Sequence, residues 1–533
     1  MRPLALPALL CEYPAMSAES LQPAEKPLPS LAAGTLAVFL AVKLLLHLLA
    51  INQYGYFRDE LYYIASTEHL DWGYVEHPPL SIVILALVRS IFGDSLPAVR
   101  LVPILAGLAT VFVTVLMARR LGGGRFAQGL AALACVLSPE FLGTDRYYSM
   151  NALDLLLWSL AGFLLLRALD LGRLRDWVTL GAVLGVGLLN KVSILWFGGG
   201  LVVGLLLTSN RRVLLGRGPW TAAGIALAMF LPHVVWQVRH GWPTLEFMRN
   251  ATALKMAATS PAGFLIHQIL DMNPGAAPVW IGGLLFAIFA RHAGAGRVFG
   301  WIYLFVLALL VVQGHSRASY LAVAYPMLLA LGGVAIERLS EPARRRWLRP
   351  ALSGLVVCGG AVALPMALPV LPVATFVRYQ AALGMAPGTE ERQEMGVLPQ
   401  GYADMFGWEQ MTALVAEAYG RLTPSERAHC RVFGQNYGEA GAIDVLGRKL
   451  GLPHAVSGHN SYWLWGPGDT EWDVLIIIGG DRADNAAFFD DIEIVGQTRS
   501  DWSMPYERGL DVSIARKPKM PVRKAWPLVK QYI

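Results

Sequence analysis

Charge is scarce along this chain: Asp, Glu, Lys and Arg make up 15% of its 533 residues, against 55% hydrophobic residues. Soluble globular domains carry roughly a quarter charged residues, so a soluble enzyme is excluded and an integral membrane protein is implied. Cysteine is scarcer still. Cys11, Cys135, Cys358 and Cys430 are the only four, and they form neither a metal-like spacing nor a disulfide framework. A nucleotide loop is missing as well. The glycine runs Leu121-Gly122-Gly123-Gly124 and Gly198-Gly199-Gly200 lack the preceding strand and the Lys and Ser/Thr that hold phosphates. No clear repeat relates two halves of the chain, as repeats do in many transporters. The net charge of +6 is no nucleic-acid signal, because the arginines lie in short clusters between apolar segments.

Long apolar runs are what the chain has in abundance. They predict spans near 31–52, 99–118, 126–143, 151–169, 177–190, 193–208, 220–238, 276–290, 298–313, 320–336 and 351–373, which makes about eleven crossings of a hydrocarbon core. Residues 1–30 are Pro-rich and read as a loose tail. The first run reads as an anchor, since no small-residue cleavage site follows it. With the N-terminus in the cytoplasm, Arg119, Arg120, Arg173, Arg175, Arg211, Arg212 and Arg344 to Arg346 share one side, as the positive-inside rule requires. The opposite side receives an acidic loop over 53–98 and everything after 373. Residues 79–92 read as a second surface or re-entrant helix, too short for a confident span.

After that point the composition changes. A helix from 408 to 422, a strand at 430–435, a helix at 439–450 and a buried strand at 473–478 ending in Gly479-Gly480 argue for a soluble α/β domain over 374–533. The predicted fold class is therefore an α-helical polytopic membrane protein with a C-terminal soluble α/β domain.

The acidic loop is the densest patch of charge. Asp59, Glu60, Glu68, Asp71 and Glu76 are interleaved with Tyr54, Tyr56, Phe57, Tyr62, Tyr63, Trp72 and Tyr74, rings that favour the headgroup level. Asp59 and Glu60 are adjacent, so on a helix they point about 100° apart. One of them can be a working carboxylate while the other caps or salt-bridges, and Asp59 as the N-cap of a helix over 60–70 is an equal alternative. Glu76-His77-Pro78-Pro79 holds an acid and an imidazole on a stiff turn. Further polar candidates border the same face: Arg58, Arg146, Lys191, His267, Arg317 and Tyr320. Ionisable groups at a membrane are costly and thus candidates for function, although each can equally snorkel or anchor a loop.

The Asp-Glu pair after the first span, followed by an acid, His and Pro-Pro, resembles the first external loop of the GT-C glycosyltransferases (glycosyltransferase family 39). The similarity is to protein O-mannosyltransferases and to lipid A aminoarabinose transferases, which use polyprenyl-phosphate-linked sugars. Asp59 matches the first acid of the pair and Glu76 the acid before the prolines. The intervening residue is Lys in the aminoarabinose transferases; His77 is closer to the His-Pro-Pro of the mannosyltransferases. Arg317, with Tyr320 and Tyr325, resembles the basic residue before a late span that contacts the donor phosphate. Asn151-Ala152-Leu153-Asp154, Asn190-Lys191 and Gly241-Trp242-Pro243 are similar to segments of bacterial relatives. Asn436-Tyr437-Gly438-Glu439-Ala440 resembles part of a soluble tail that many of them carry, whose role the resemblance does not imply.

The resemblance implies a GT-C fold and an inverting transfer on the outer face of a bacterial inner membrane, from a polyprenyl-phosphate sugar to a lipid, glycan or protein acceptor. The catalytic candidates are Asp59, Glu60 and Glu76, with Asp59 the base for the acceptor hydroxyl. Arg317 and Lys191 would stabilise the departing phosphate, with Arg58, His77, Arg146, His267 and Tyr320 also around the substrates. Asp59 and Glu76 are candidate ligands of a divalent cation; no other cofactor and no nucleic acid is implied. The alternative from another class is a polytopic lipid or glycan transporter without bond-making chemistry.

Overall fold

The computed structural model describes residues 27–468 and 472–533; residues 1–26 of the expected N-terminal tail lie outside them. Among the described residues seven helices are long and apolar enough to cross a membrane, or nine if each of two bent pairs is one span. Two predicted spans fall short of that length, Arg125–Val136 and Leu174–Asn190, so the sequence-based count is larger by these two. The predicted span 126–143 is broken. Its first helix ends at Val136, and Ser138 caps a second, Pro139–Thr144, by accepting from the Phe141 amide. Proline suits the first helical turn and cannot continue a preceding one. The helix Ala277–Phe289 is likewise preceded, across a bend of 93°, by Pro261–Asp271, with Asn273 at φ +78° and Pro274 in the break.

The helix ends sort by chemistry. At one end Arg120 pairs with Asp170 at 3.1 Å, Glu337 accepts from the Gly124 amide, and Arg349 donates to Ser340. The loop following Ala33–Ala50 gathers at the other end, together with the chain after Leu348–Ala367. In that loop Arg58–Ser66 and Leu80–Phe92 are helical; the first is shorter than the expected 60–70.

The C-terminal part holds a five-stranded sheet. β1 (Cys430–Gly434), β2 (Ala455–Val456) and β3 (Val474–Ile478) run parallel; β4 (Phe489–Gln497) and β5 (Asp511–Pro518) add an antiparallel edge, in the order β2-β1-β3-β5-β4. β3, Val-Leu-Ile-Ile-Ile, is buried along its whole length, as a central strand covered on both faces must be. One face packs Val432, Ile476 and Ile514 against Leu61, Tyr62 and Ile64 of the loop helix, with Trp408, Tyr437 and Ile443 between them. The loop and the sheet thus share one hydrophobic core.

Gly441 on the helix Tyr437–Leu446 makes that contact possible: a Cβ there would lie 2.9 Å from the Leu61 carbonyl carbon. Gly441→Val should therefore cost about 1–3 kcal/mol by overpacking. Thermal unfolding of the detergent-solubilised chain should show a lower Tm, and an unchanged Tm would mean that the loop and the sheet separate freely.

Candidate active site

The loop helix decides between the two adjacent acids. Its N-cap is Phe57, not Asp59, and Glu60 caps the first turn by accepting from the Phe57 amide at 2.9 Å. The Glu60 carboxylate also receives Arg100 Nε at 3.0 Å, Arg100 Nη2 at 2.9 Å and the Tyr148 amide at 3.0 Å. Both partners of this ion pair are essentially inaccessible, Glu60 at 0% and Arg100 at 1%. Arg100 in addition donates to the carbonyls of Ile51 and Gly55. Glu60, a catalytic candidate from sequence, is reassigned to a structural anchor whose oxygens are all engaged.

Asp59 faces the other way and its side chain is about a third exposed. Its Oδ1 accepts from the Tyr437 hydroxyl at 2.9 Å and lies 3.7 Å from Arg58 Nε. Arg58 is a hub. Its guanidinium donates to the Tyr506 hydroxyl and lies 3.6 Å from Asp404 and 4.0 Å from Glu391. Glu391 in turn accepts from Arg317 and lies 3.7 Å from Lys255. Burial alone would raise this carboxyl, but Lys255, Arg58 and Arg317 outweigh it and hold Glu391 down to about 2. A bridge between Met256 and Glu391, with Ala257 donating to the Glu390 carbonyl, brings these remote segments together.

Beside this cluster opens a cavity of about 900 Å³. Arg317, Lys191, Arg146, Tyr147 and Tyr320 line one part; Leu270, Cys358, Val362, Ala363 and Met366, from Pro261–Asp271 and Leu348–Ala367, line another. Lys191 donates to Asn151 Oδ1 at 2.8 Å, lies 3.8 Å from Asp154 and sits 5.1 Å from the centre of the Tyr320 ring. Its N–H groups are therefore fixed at the wall. His267 lies 3.5 Å from Asp271 and both line the cavity.

Three predicted residues are engaged by other partners. Arg146 touches the cavity, but its guanidinium is committed to the carbonyls of Ala367 and Gly401 at 2.8 and 2.7 Å. That makes it a brace between the last membrane helix and the following chain. His77 is 1% exposed, stacked on Tyr63 and tilted against Tyr74, with Nδ1 on the Pro78 carbonyl; burial pushes it down to about 4. It supports the turn and is not part of the lining of that cavity. Glu76 accepts from the Tyr62 hydroxyl at 2.8 Å, and burial pushes it up to about 7. Tyr62 stacks on Tyr437, so the Asp59 and Glu76 carboxylates each hold one hydroxyl of a stacked tyrosine pair. The candidate cation pair gains no further ligand: among the described residues no group of three or more His, Cys, Asp or Glu side chains is placed to hold a metal ion.

Sequence reasoning passed over Lys255, Glu390, Glu391, Asp404 and the contact of Tyr437 with Asp59. The one local signal was Glu390-Glu391-Arg392, a charge cluster in the segment after the last apolar run.

The family described as dolichyl-phosphate-mannose-protein mannosyltransferase matches residues 76–236. That stretch includes Glu76, His77, Arg146 and Lys191 and leaves Asp59 and Arg317 outside it. Lipid A galacturonosyltransferase RgtD of Rhizobium johnstonii is 22% identical over 278 residues, 50% of this chain and 56% of that protein. The undecaprenyl phosphate-alpha-4-amino-4-deoxy-L-arabinose arabinosyl transferase of Pseudomonas savastanoi pv. phaseolicola is 27% identical over 218 residues, 37% of this chain and 40% of that protein. The chain thus spans about half the length of the curated relatives it matches. The crystal structure of ArnT from Cupriavidus metallidurans bound to undecaprenyl phosphate superposes with a TM-score of 0.60 at 17% identity, covering 90% of this chain and 98% of that one. The likeness shows the fold: the GT-C architecture expected from the acidic loop is present, with the sheet-bearing C-terminal part.

Proposed function

We propose that the chain is an inverting glycosyltransferase that moves a sugar from a polyprenyl-phosphate donor to a hydroxyl of a lipid, glycan or protein acceptor. The observation that carries this reading is the cavity, which Arg317 and Lys191 line beside the carboxyls of Glu140, Asp154, Asp271 and Glu390 and the apolar Leu270, Val362, Ala363 and Met366. An amphiphile with an anionic head and a hydrocarbon tail fits both parts, with Arg317 and Lys191 at the phosphate. The relatives named for undecaprenyl-phosphate sugars and for lipid A chemistry support the same donor and acceptor classes.

The chemistry follows from the residues. Asp59 takes the proton of the acceptor hydroxyl as its oxygen attacks the anomeric carbon. The bond from that carbon to the phosphate oxygen breaks, and its electron pair leaves with the polyprenyl phosphate, whose charge the cations hold. One displacement inverts the configuration. The site would face the periplasm of a bacterial inner membrane, where nucleotide sugars are not expected.

The test is incubation of the purified chain in lipid with labelled polyprenyl-phosphate sugars and native membrane extract. Label should pass from donor to acceptor, and Arg317→Ala should raise KM for the donor about tenfold or more, as loss of a charged hydrogen bond of 1.5–3 kcal/mol requires. Labelled lipid that changes leaflet without consumption of donor would overturn the proposal in favour of transport.

A further inference from the structure

The C-terminal sheet domain reaches into the site through one side chain. Tyr437 opens the helix Tyr437–Leu446, capped by Asn436, whose side chain accepts from the Gly438 and Glu439 amides. The Tyr437 amide is itself anchored, donating to His459 Nδ1 at 3.1 Å, while His459 Nε2 lies 2.8 Å from the Ile533 carbonyl. The ring is held on Tyr62, with centroids 4.7 Å apart, and the Arg58 guanidinium lies 5.3 Å from its centre. The phenol hydroxyl therefore arrives at Asp59 Oδ1 from a side chain fixed at both ends. Within the protein that hydroxyl is the sole hydrogen-bond donor to the Asp59 carboxylate among the described residues, and Oδ2 is left unbonded.

We propose that Tyr437 is a positioning residue for the transfer. Its hydroxyl fixes Oδ1 so that Oδ2 is aimed at the acceptor's proton, and the sheet domain thereby completes the site on the membrane loop. The inference rests on the reading of Asp59 as the base and adds what orients it. A short carboxylate about a third exposed on the first turn of an otherwise buried helix has a free torsion, and misplacement of a reacting group by about 1 Å can cost roughly a hundredfold in rate. Burial keeps the phenol protonated, well above its ordinary range, so it donates at every working pH. The titratable groups facing Asp59 are Arg58, Lys255, Arg317, Asp404, Tyr63, Tyr147 and His77, and of the charged ones Arg58 is the one that Tyr437 also touches.

The test is Tyr437→Phe, which keeps the ring on Tyr62 and beneath Arg58 and deletes the donor alone. The expected result is kcat lowered about 10- to 100-fold, an unchanged KM for the donor and an unchanged Tm. A ring-fluorinated tyrosine at 437, a stronger donor to Asp59 Oδ1, should change kcat while leaving the KM for the donor and the Tm as they are; this second probe serves if the Phe variant is unstable. Wild-type kcat in both would overturn the proposal. Asp59→Asn separates the two ideas: an inactive Asp59→Asn beside a fully active Tyr437→Phe removes only the positioning role, whereas an active Asp59→Asn removes the base and with it the inference.

Discussion

Asp59→Asn should lower kcat for sugar transfer about 10³-fold, within the 10²- to 10⁴-fold span of general base catalysis, while the protein folds as before. The substitution is isosteric, and an Asn Oδ1 still accepts from Tyr437. Arg58 loses an anion at 3.7 Å but keeps Asp404 at 3.6 Å and Glu391 at 4.0 Å. The remaining cost is the loss of a negative charge in the first helical turn, about 0.3–1 kcal/mol at an exposed position. Turnover and stability are therefore uncoupled at this residue. Transfer of label measured beside thermal unfolding checks both halves. Full activity in the variant would sink the assignment of the base, and a collapse of Tm would mean that Asp59 is a structural cap after all.

How much of this was legible in the sequence depends on the range of the interaction. Apolar runs are local, so the helices lie where the runs are. What the runs concealed is where a helix breaks inside one: Ser138-Pro139 ends a predicted span early, and Asn273-Pro274 turns the chain through 93°. β3 carries the uniform burial of a central strand and β1 the alternation of one, and both could be read. β4, Phe-Asp-Asp-Ile-Glu-Ile-Val-Gly-Gln, is an edge strand with acids among its apolar residues, and its signal is weak for that reason. In the site, the roughly 100° between neighbouring helical positions told that Asp59 and Glu60 must face different surroundings, without telling which faces the core. That choice belongs to Arg100, forty residues on. The cations around Glu391 lay further out of reach, because Arg58, Lys255 and Arg317 meet only when the segment near Glu391 pairs with the backbone at Met256. His77 shows a like limit: a histidine beside acids and prolines read as a substrate-binding candidate, and only the structure shows its ring packed on Tyr63 and Tyr74 with Nε2 buried.

Arg100→Met should produce the opposite phenotype to Asp59→Asn, a loss of about 3–5 kcal/mol of stability, the cost of breaking a buried ion pair by removing one partner. The methionine roughly fills the space of the arginine stem, so packing is not the main loss. What remains is a fully buried Glu60 carboxylate with two oxygens that had been shared between the Arg100 guanidinium, the Phe57 amide and the Tyr148 amide. The carbonyls of Ile51 and Gly55 lose their donor in the same step. Such an amount is comparable with the total stability of many domains, so the variant should be poorly expressed or should unfold well below the wild type in detergent. Glu60→Gln tests the pair from the other side, because its amide N–H would meet the donors that the carboxylate now receives. It should be destabilised as well, and any protein that does fold should retain a measurable rate, since Asp59 and Tyr437 are untouched. A well-folded, inactive Glu60→Gln beside an active Asp59→Asn would exchange the two roles. Two carboxylates adjacent in sequence can thus be told apart by which one, when neutralised, costs the fold and which one costs the reaction.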